Sequence, residues 1–335
     1  MTMHILKPGM LSSFQDEGRT GRQPLGVSVV GAMDQRAHRL ANILVGNETD
    51  YASLEITLTG PTLQFTQACC LALCGADLSP MINGKPVAMN RPLVIRPQDT
   101  LQFGAKQHGT RAYLAVYGGF AIPDVLGSQS TYLRSHFGGW QGRALKRGDD
   151  IPLLRPLNEI GKDGKGLEAL ALALWSVKLY LPGVIAGSTR ARIRLIKSQQ
   201  WDEFTPASRE ALLNASYRIS PDSERMGYRL QGPEVLMTKP RQMISEATTF
   251  GTIQVPAGGQ PIVLMADRQT TGGYPKIAYV ATVDLPLLAQ MGPGDTIQFE
   301  LVSLETAQAL DAARTRAFND LAQALAPVRS LLLNH

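Results

Sequence analysis

Turn-forming residues interrupt this chain so often that long regular elements have little room. The 335 residues include 32 glycines and 21 prolines, spread along the whole length rather than gathered into one linker. Between them lie short apolar runs at a spacing of about ten residues, the pattern of strands in a barrel or sandwich. The spacing predicts strands over 53–58, 62–65, 69–73, 92–95, 100–103 and 112–116, and again over 192–196, 217–220, 252–255, 262–265, 278–280 and 296–301. Two segments read as helices. Residues 34–44 carry an Asp N-cap, good helix formers and a Val45-Gly46-Asn47 stop. Residues 304–333 are rich in Ala and Leu at helical spacing, interrupted at Pro327. The fold class is therefore mainly β with minor α.

A faint repeat suggests two similar β domains. Arg96-Pro97-Gln98-Asp99-Thr100-Leu101-Gln102-Phe103 resembles Gly292-Pro293-Gly294-Asp295-Thr296-Ile297-Gln298-Phe299. Upstream of each, Leu58-Thr59-Gly60-Pro61 resembles Leu230-Gln231-Gly232-Pro233. The expected division is an N-terminal β domain over 1–155, a linker over 156–175 centred on the Gly/Lys stretch 158–166, a second β domain over 176–303 and a helical tail over 304–335.

Composition and motifs exclude several classes. No apolar run reaches the roughly 18 residues of a membrane span. Pro8 and Gly9 cut the N-terminal sequence before a signal-like apolar stretch develops. A soluble, cytoplasmic protein without a membrane role is expected. The net charge of +5 is mild, and Arg143, Lys146 and Arg147 are followed at once by Asp149 and Asp150, so no nucleic-acid footprint is expected. Cys69, Cys70 and Cys74 sit in an apolar run and read as buried, reduced thiols. No metal site is expected, because neither the cysteines nor the five scattered histidines have ligand spacing. Residues 161–166 lack the full phosphate-loop pattern, and neither a dinucleotide fingerprint nor a G-x-S-x-G elbow is present.

Three stretches set polar residues beside clustered glycines. In the first, Ser12–Arg19 continuing to Gly31–Asp34, the side chains of Gln15, Asp16 and Arg19 suit a small polar group; a capped turn with a surface ion pair is the alternative. The second holds Gly118-Gly119, Gly127-Ser128-Gln129-Ser130-Thr131 and Gly138-Gly139. Tight β-turns are its favoured reading, and backbone amides forming an anion nest are the alternative. The third, Ala266-Asp267-Arg268-Gln269-Thr270-Thr271-Gly272-Gly273-Tyr274-Pro275, follows an apolar strand. Burying so many polar groups demands a partner for each, so a loop facing a cleft is favoured over an ordinary polar loop. Asp267 would act as a base or orient an amide, and Arg268 would fork onto a carboxylate or phosphate. Arg225 and Tyr228 offer further ligands, and Glu246 adds a carboxylate.

These stretches together resemble the biotin-dependent carboxyltransferase / allophanate hydrolase subunit 2 family. The resemblance rests on Ser13–Arg19, Gly31–Asp34, Arg39–Asn47, Leu54-Glu55, Tyr113–Val116 with Gly118-Gly119, Gly127–Thr131, Arg225–Leu230 and Ala266–Pro275, in that order, and covers about residues 3–303. It implies two cyclophilin-like β-barrel domains, with the C-terminal helix outside the match. It implies a subunit of an ATP-dependent 5-oxoprolinase complex that hydrolyses 5-oxo-L-proline to L-glutamate. The partners would be a subunit-1 homologue (the B subunit) and a homologue of the A subunit, ATP being used by the complex rather than recognisably bound by this chain. One alternative is a carboxyltransferase component acting on urea or another small amide, with biotin arriving on another chain. Another is a non-catalytic module binding a kinase-inhibitor partner, as in the Kip antagonists. The resemblance assigns no catalytic residue. From chemistry, Asp267, Arg268 and Glu246 are taken as catalytic. Gln269, Thr270, Thr271, Gly272, Gly273, Tyr274, Arg225, Tyr228, Gln15, Asp16 and Arg19 are taken as substrate-binding. The 267–273 stretch is expected to line a crevice completed when a second polypeptide docks.

Overall fold

The computed structural model describes residues 2–155, 157, 165–186, 190–239 and 243–333. The chain forms two units that do not follow the expected linear division. The first holds Met1–Gly18, Asp34–Ala186 and Ala317–His335, and the second holds Arg19–Met33 and Gly187–Arg316. Residues 19–33 join the second unit for specific reasons. Met33 belongs to its apolar core. Gln23 Nε2 donates to the carbonyls of Thr248 and Thr270, and Arg225 Nη2 donates to Gly31 O.

The expected linker is corrected at its C-terminal half, where Lys165–Ser176 is a helix of the first unit. Leu167, Leu170 and Leu174 are buried, and their three- and four-residue spacing places them on one helical face. Residues 158–164 of the expected linker lie outside the described residues.

In the first unit, a six-stranded sheet and a five-stranded sheet share one apolar core. Met3, Ile5, Leu63, Phe65 and Leu101 come from the first sheet, and Phe14, Leu54, Ile56, Leu73 and Leu114 from the second. Side chains alternate across a strand, so the opposite face of the five-stranded sheet carries Ser13, Gln15, Ser53, Glu55, Arg111 and Tyr113. The helix Gln35–Leu44 packs on strands Ser53–Thr57, Cys69–Asp77 and His108–Val116. Asp34 caps it as expected, accepting from Ala37 N at 2.9 Å. The three thiols lie buried in or beside this core, and desolvation pushes Cys70 up to about 12.

The second unit is built on an eight-membered sheet whose two ends are Thr296–Ile297 and Phe299–Leu301. One residue, Gln298, separates them. The first half pairs with Tyr217–Ile219 and the second runs parallel to Ile193–Lys197. The ends are thus two halves of one stretch, which brings the sheet to a nearly closed barrel. Trp201, Phe204, Ile253, Val263, Ile277 and Phe299 fill it. The mainly β, two-barrel expectation holds.

The repeat is real at its Asp-Thr turn. Arg96 N donates to Asp99 Oδ2 and Gly292 N to Asp295 Oδ2, each at 2.8 Å. Phe65 N donates to Asp99 O, and Ile219 N to Asp295 O. Pro at the second turn position and a positive φ at the third define a type II turn in both copies. Residue 294 is a glycine at φ 93°, whereas Gln98 adopts φ 69° with a side chain. The Gly-Pro matches are not equivalent. Thr62–Phe65, the strand paired with the first turn, follows Gly60-Pro61, whereas Tyr217–Ile219, its counterpart, precedes Gly232-Pro233. Leu304–Ala324 and Ala326–Leu333 form the helical tail, with the break beside Pro327. Among the described residues no helix is long and apolar enough to cross a membrane.

Candidate functional site

The third polar stretch leaves strand Ile262–Leu264 at the barrel surface, then pairs Thr271–Gly272 with Glu246–Ala247 in a two-stranded ribbon. Asp267 is buried and forms a fork with Arg225: Nε to Oδ2 at 3.0 Å and Nη2 to Oδ1 at 2.8 Å. Both carboxylate oxygens are occupied, and Asp267 N also donates to Arg225 O. This corrects the acid–base role expected of Asp267. With both oxygens taken up by the Arg225 fork, the carboxylate fixes the base of the loop and is not free to meet a ligand. Arg225 is likewise engaged in structure, not offered to a ligand.

Arg268 differs. It is 8% exposed, yet among the described residues its side chain makes one hydrogen bond, a long one from Nη1 to Ala266 O at 3.5 Å. Its guanidinium faces the Phe250 ring at 6.0 Å. Burial pushes its pKa down to about 10, the neighbouring Asp267 charge opposing the shift. Among the described residues it has no carboxylate of its own. A desolvated guanidinium without a carboxylate is an anion-binding group in waiting.

Around it, Gln269 Nε2 donates to Gln254 Oε1 at 3.2 Å. Thr248 N and Gln23 Nε2 both donate to Thr270 O. Glu246 is exposed and accepts from Lys276 Nζ at 3.0 Å, while the same nearly buried amine reaches Ala247 O at 2.8 Å. Glu246 therefore keeps access to solvent, as a proton carrier requires. Thr271 and Gly273 are exposed. Tyr274 is 51% exposed and borders a 340 Å³ apolar cavity with Val235, Met237, Met243 and Val255.

Tyr228 is corrected outright. It points into the barrel core, 2% exposed, and its hydroxyl donates to Met291 O at 3.1 Å. Arg19 is fully buried in the second unit, with its N bonded to Val29 O at 2.7 Å.

Gln15 and Asp16 belong to the first unit. Asp16 accepts from Ser128 Oγ, Gln129 N, Ser130 Oγ and Gly18 N. The glycine-bounded loop does cradle an anion, but that anion is the protein's own carboxylate, so Asp16 is corrected to a structural role. Gln15 is buried on the polar face of the five-stranded sheet and donates to Ser13 Oγ and Thr131 O. Beside it His38 meets Ser53 Oγ at 2.7 Å, and burial lowers the His38 pKa. Tyr113 OH donates to Glu55 Oε2 at 2.7 Å.

Sequence reasoning missed Lys276 and Gln254. Both are buried polar residues in apolar strands, and Lys276 stands directly after the loop, where that contrast was visible. Among the described residues no group of three His, Cys, Asp or Glu side chains is placed to hold a metal ion.

The mainly β, two-unit fold is that of the carboxyltransferase-type class. The family model for the carboxyltransferase domain, subdomain A and B, matches residues 25–301. The chain belongs to that family. It is 38% identical to the C subunit of 5-oxoprolinase from Escherichia coli over 320 residues, covering 96% of this chain and 97% of that one. It is equally similar to the C subunit of the Haemophilus influenzae 5-oxoprolinase, covering 95% of each chain. The solved urea amidolyase of K. lactis superposes with a TM-score of 0.85 at 30% identity, covering 96% of this chain and 20% of the larger one. This chain therefore spans about a fifth of that enzyme.

Proposed function

We propose that this chain is the C subunit of a 5-oxoprolinase complex, which opens the lactam of 5-oxo-L-proline to give L-glutamate at the expense of ATP. The observation that carries the reading is Arg268, a buried guanidinium with no carboxylate partner among the described residues, set in a loop whose own acid is already paired. A ligand carboxylate or a developing oxyanion would complete it. Near-complete coverage of two relatives named as 5-oxoprolinase C subunits supports the same reading. Homologues of the A and B subunits are the expected partners. ATP is assigned to the complex, and no phosphate contact is assigned to residues of this chain. Glu246, a solvent-reaching residue of the ribbon with one oxygen on Lys276 Nζ and the other free of protein partners among the described residues, is the candidate to pass a proton from solvent to the leaving nitrogen.

A second reading, carboxyl transfer from biotin to a small amide such as urea, is favoured by the likeness to urea amidolyase and by the carboxyltransferase model. Reconstitution with homologues of the A and B subunits separates the two. ATP-dependent glutamate release from 5-oxoproline is expected, and it should require all three chains. Transfer of a carboxyl group to urea from a biotinylated carrier, without glutamate release, would replace the first reading with the second.

A further inference from the structure

Gln254 lies at the end of strand Thr252–Gln254 and is 1% exposed. Its Oε1 accepts from Gln269 Nε2 at 3.2 Å. Its Nε2 has no acceptor among the described residues. Leaving a buried donor unmet costs about 1–3 kcal/mol, and such a group persists where something else supplies the acceptor.

The surroundings narrow what that acceptor is. Lys276, opposite Gln254 in the sheet, directs its Nζ to Glu246 and Ala247. On the other side lies Gly272. A Cβ built there would stand 2.5 Å from Gln254 Nε2, and its nearest neighbours are all Gln254 atoms. The bare Cα of Gly272 is what lets the amide come up beneath the Thr271–Gly273 turn. A neutral N–H₂ suits a neutral carbonyl oxygen, whereas the guanidinium of Arg268 suits a carboxylate.

We propose that Gln254 is a substrate-contacting residue whose Nε2 donates to the carbonyl oxygen of a small amide or lactam, while Arg268 holds that molecule's carboxylate. The inference rests on the 5-oxoprolinase reading and deepens it. It names the class selected by the site: a carbonyl and a carboxylate in one small molecule, in contrast to urea, which offers only the first.

Gln254→Glu is the sharpest test, because its carboxylate still accepts from Gln269 while the donor is lost. In the reconstituted complex this variant should raise KM for 5-oxoproline at least ten-fold. Gln254→Met should act likewise. Gly272→Ala, which pushes the amide aside, should raise KM by a smaller factor. Gln254→Met buries no charge, so its KM carries the test if the buried carboxylate of Gln254→Glu destabilises the barrel. If the wild-type complex turns over 5-oxoproline and Gln254→Glu leaves both KM and kcat within two-fold, Gln254 is structural and this inference is overturned alone. If the wild-type complex releases no glutamate, the underlying reading falls and the inference with it.

Discussion

The two units treat a buried aspartate in opposite ways. In the first, Asp16 is held by hydroxyls and backbone amides, neutral donors gathered from Gly18 and the 128–130 loop. In the second, Asp267 is held by one guanidinium from Arg225. Both stretches look alike in sequence, polar residues beside glycines, and in both the acid is consumed by the fold. What differs is the remainder. Around Asp16 the loop's donors are matched to its carboxylate, and the atoms left unmatched beside it are the Gln15 amide oxygen and His38 Nε2, whereas around Asp267 the groups left over are donors, Arg268 and Gln254 Nε2. A candidate site for an anion or a carbonyl is therefore marked by a surplus of buried donors, not by the density of polar groups.

Removing each acid sharpens this contrast, with the charged pair responding more. Asp267→Ala leaves Arg225 buried without its counter-charge and should destabilise the second unit by about 3–5 kcal/mol. Asp16→Ala strands the neutral N–H groups of Gly18 and Gln129, both only part-buried, while the Ser128 and Ser130 hydroxyls can turn to other acceptors, so it should cost about 1–3 kcal/mol. Denaturant unfolding of both variants checks the order; equal losses would break the comparison.

A pH titration probes the polar face of the first unit. Burial lowers the His38 pKa from 6.5 in the folded chain. Below pH 6.5 the unfolded chain binds the proton first, so stability is intact above that pH and declines as pH falls, by at most about 1.4 kcal/mol per unit. His38→Gln should flatten this part of the stability curve between pH 6.5 and 5. An unchanged slope would remove His38 as its source.

The smallest effect lies in the duplicated turn. Gln98 bears left-handed strain of about 1–2 kcal/mol that Gly294 does not, less the roughly 0.5–1 kcal/mol that a glycine adds in chain entropy. Gln98→Gly should therefore stabilise the chain by up to about 1.5 kcal/mol, and Gly294→Gln should destabilise it by a similar amount. Thermal melts of the two variants should move in opposite directions.

Much of the fold was legible where a strand is apolar on its buried face. Thr62–Phe65, Pro92–Ile95 and Thr100–Phe103 form at the residues their patterns predict. Leu11–Gln15 and Gly227–Gln231 escaped because their polar residues read as ligand loops. In the latter, Tyr228 and Leu230 alternate inward with Arg229 and Gln231 outward, a period of two hidden behind Ser223-Glu224-Arg225. The loop at 266–275 was legible from composition. Its internal pairing was not, since Arg225 lies 42 positions before Asp267 and only the barrel brings them together. The discontinuous units were equally invisible, because nothing in residues 19–33 signals a partner two hundred residues away.

The central claim is that Arg268 is the group left for a ligand. Its most direct test is turnover of 5-oxoproline by the reconstituted complex carrying Arg268→Ala, with and without millimolar guanidinium. kcat/KM should fall about a hundred-fold, in line with loss of one charge-stabilising group, and recover in part when guanidinium is added. Turnover within two-fold of wild type, in a complex that still assembles, would contradict it.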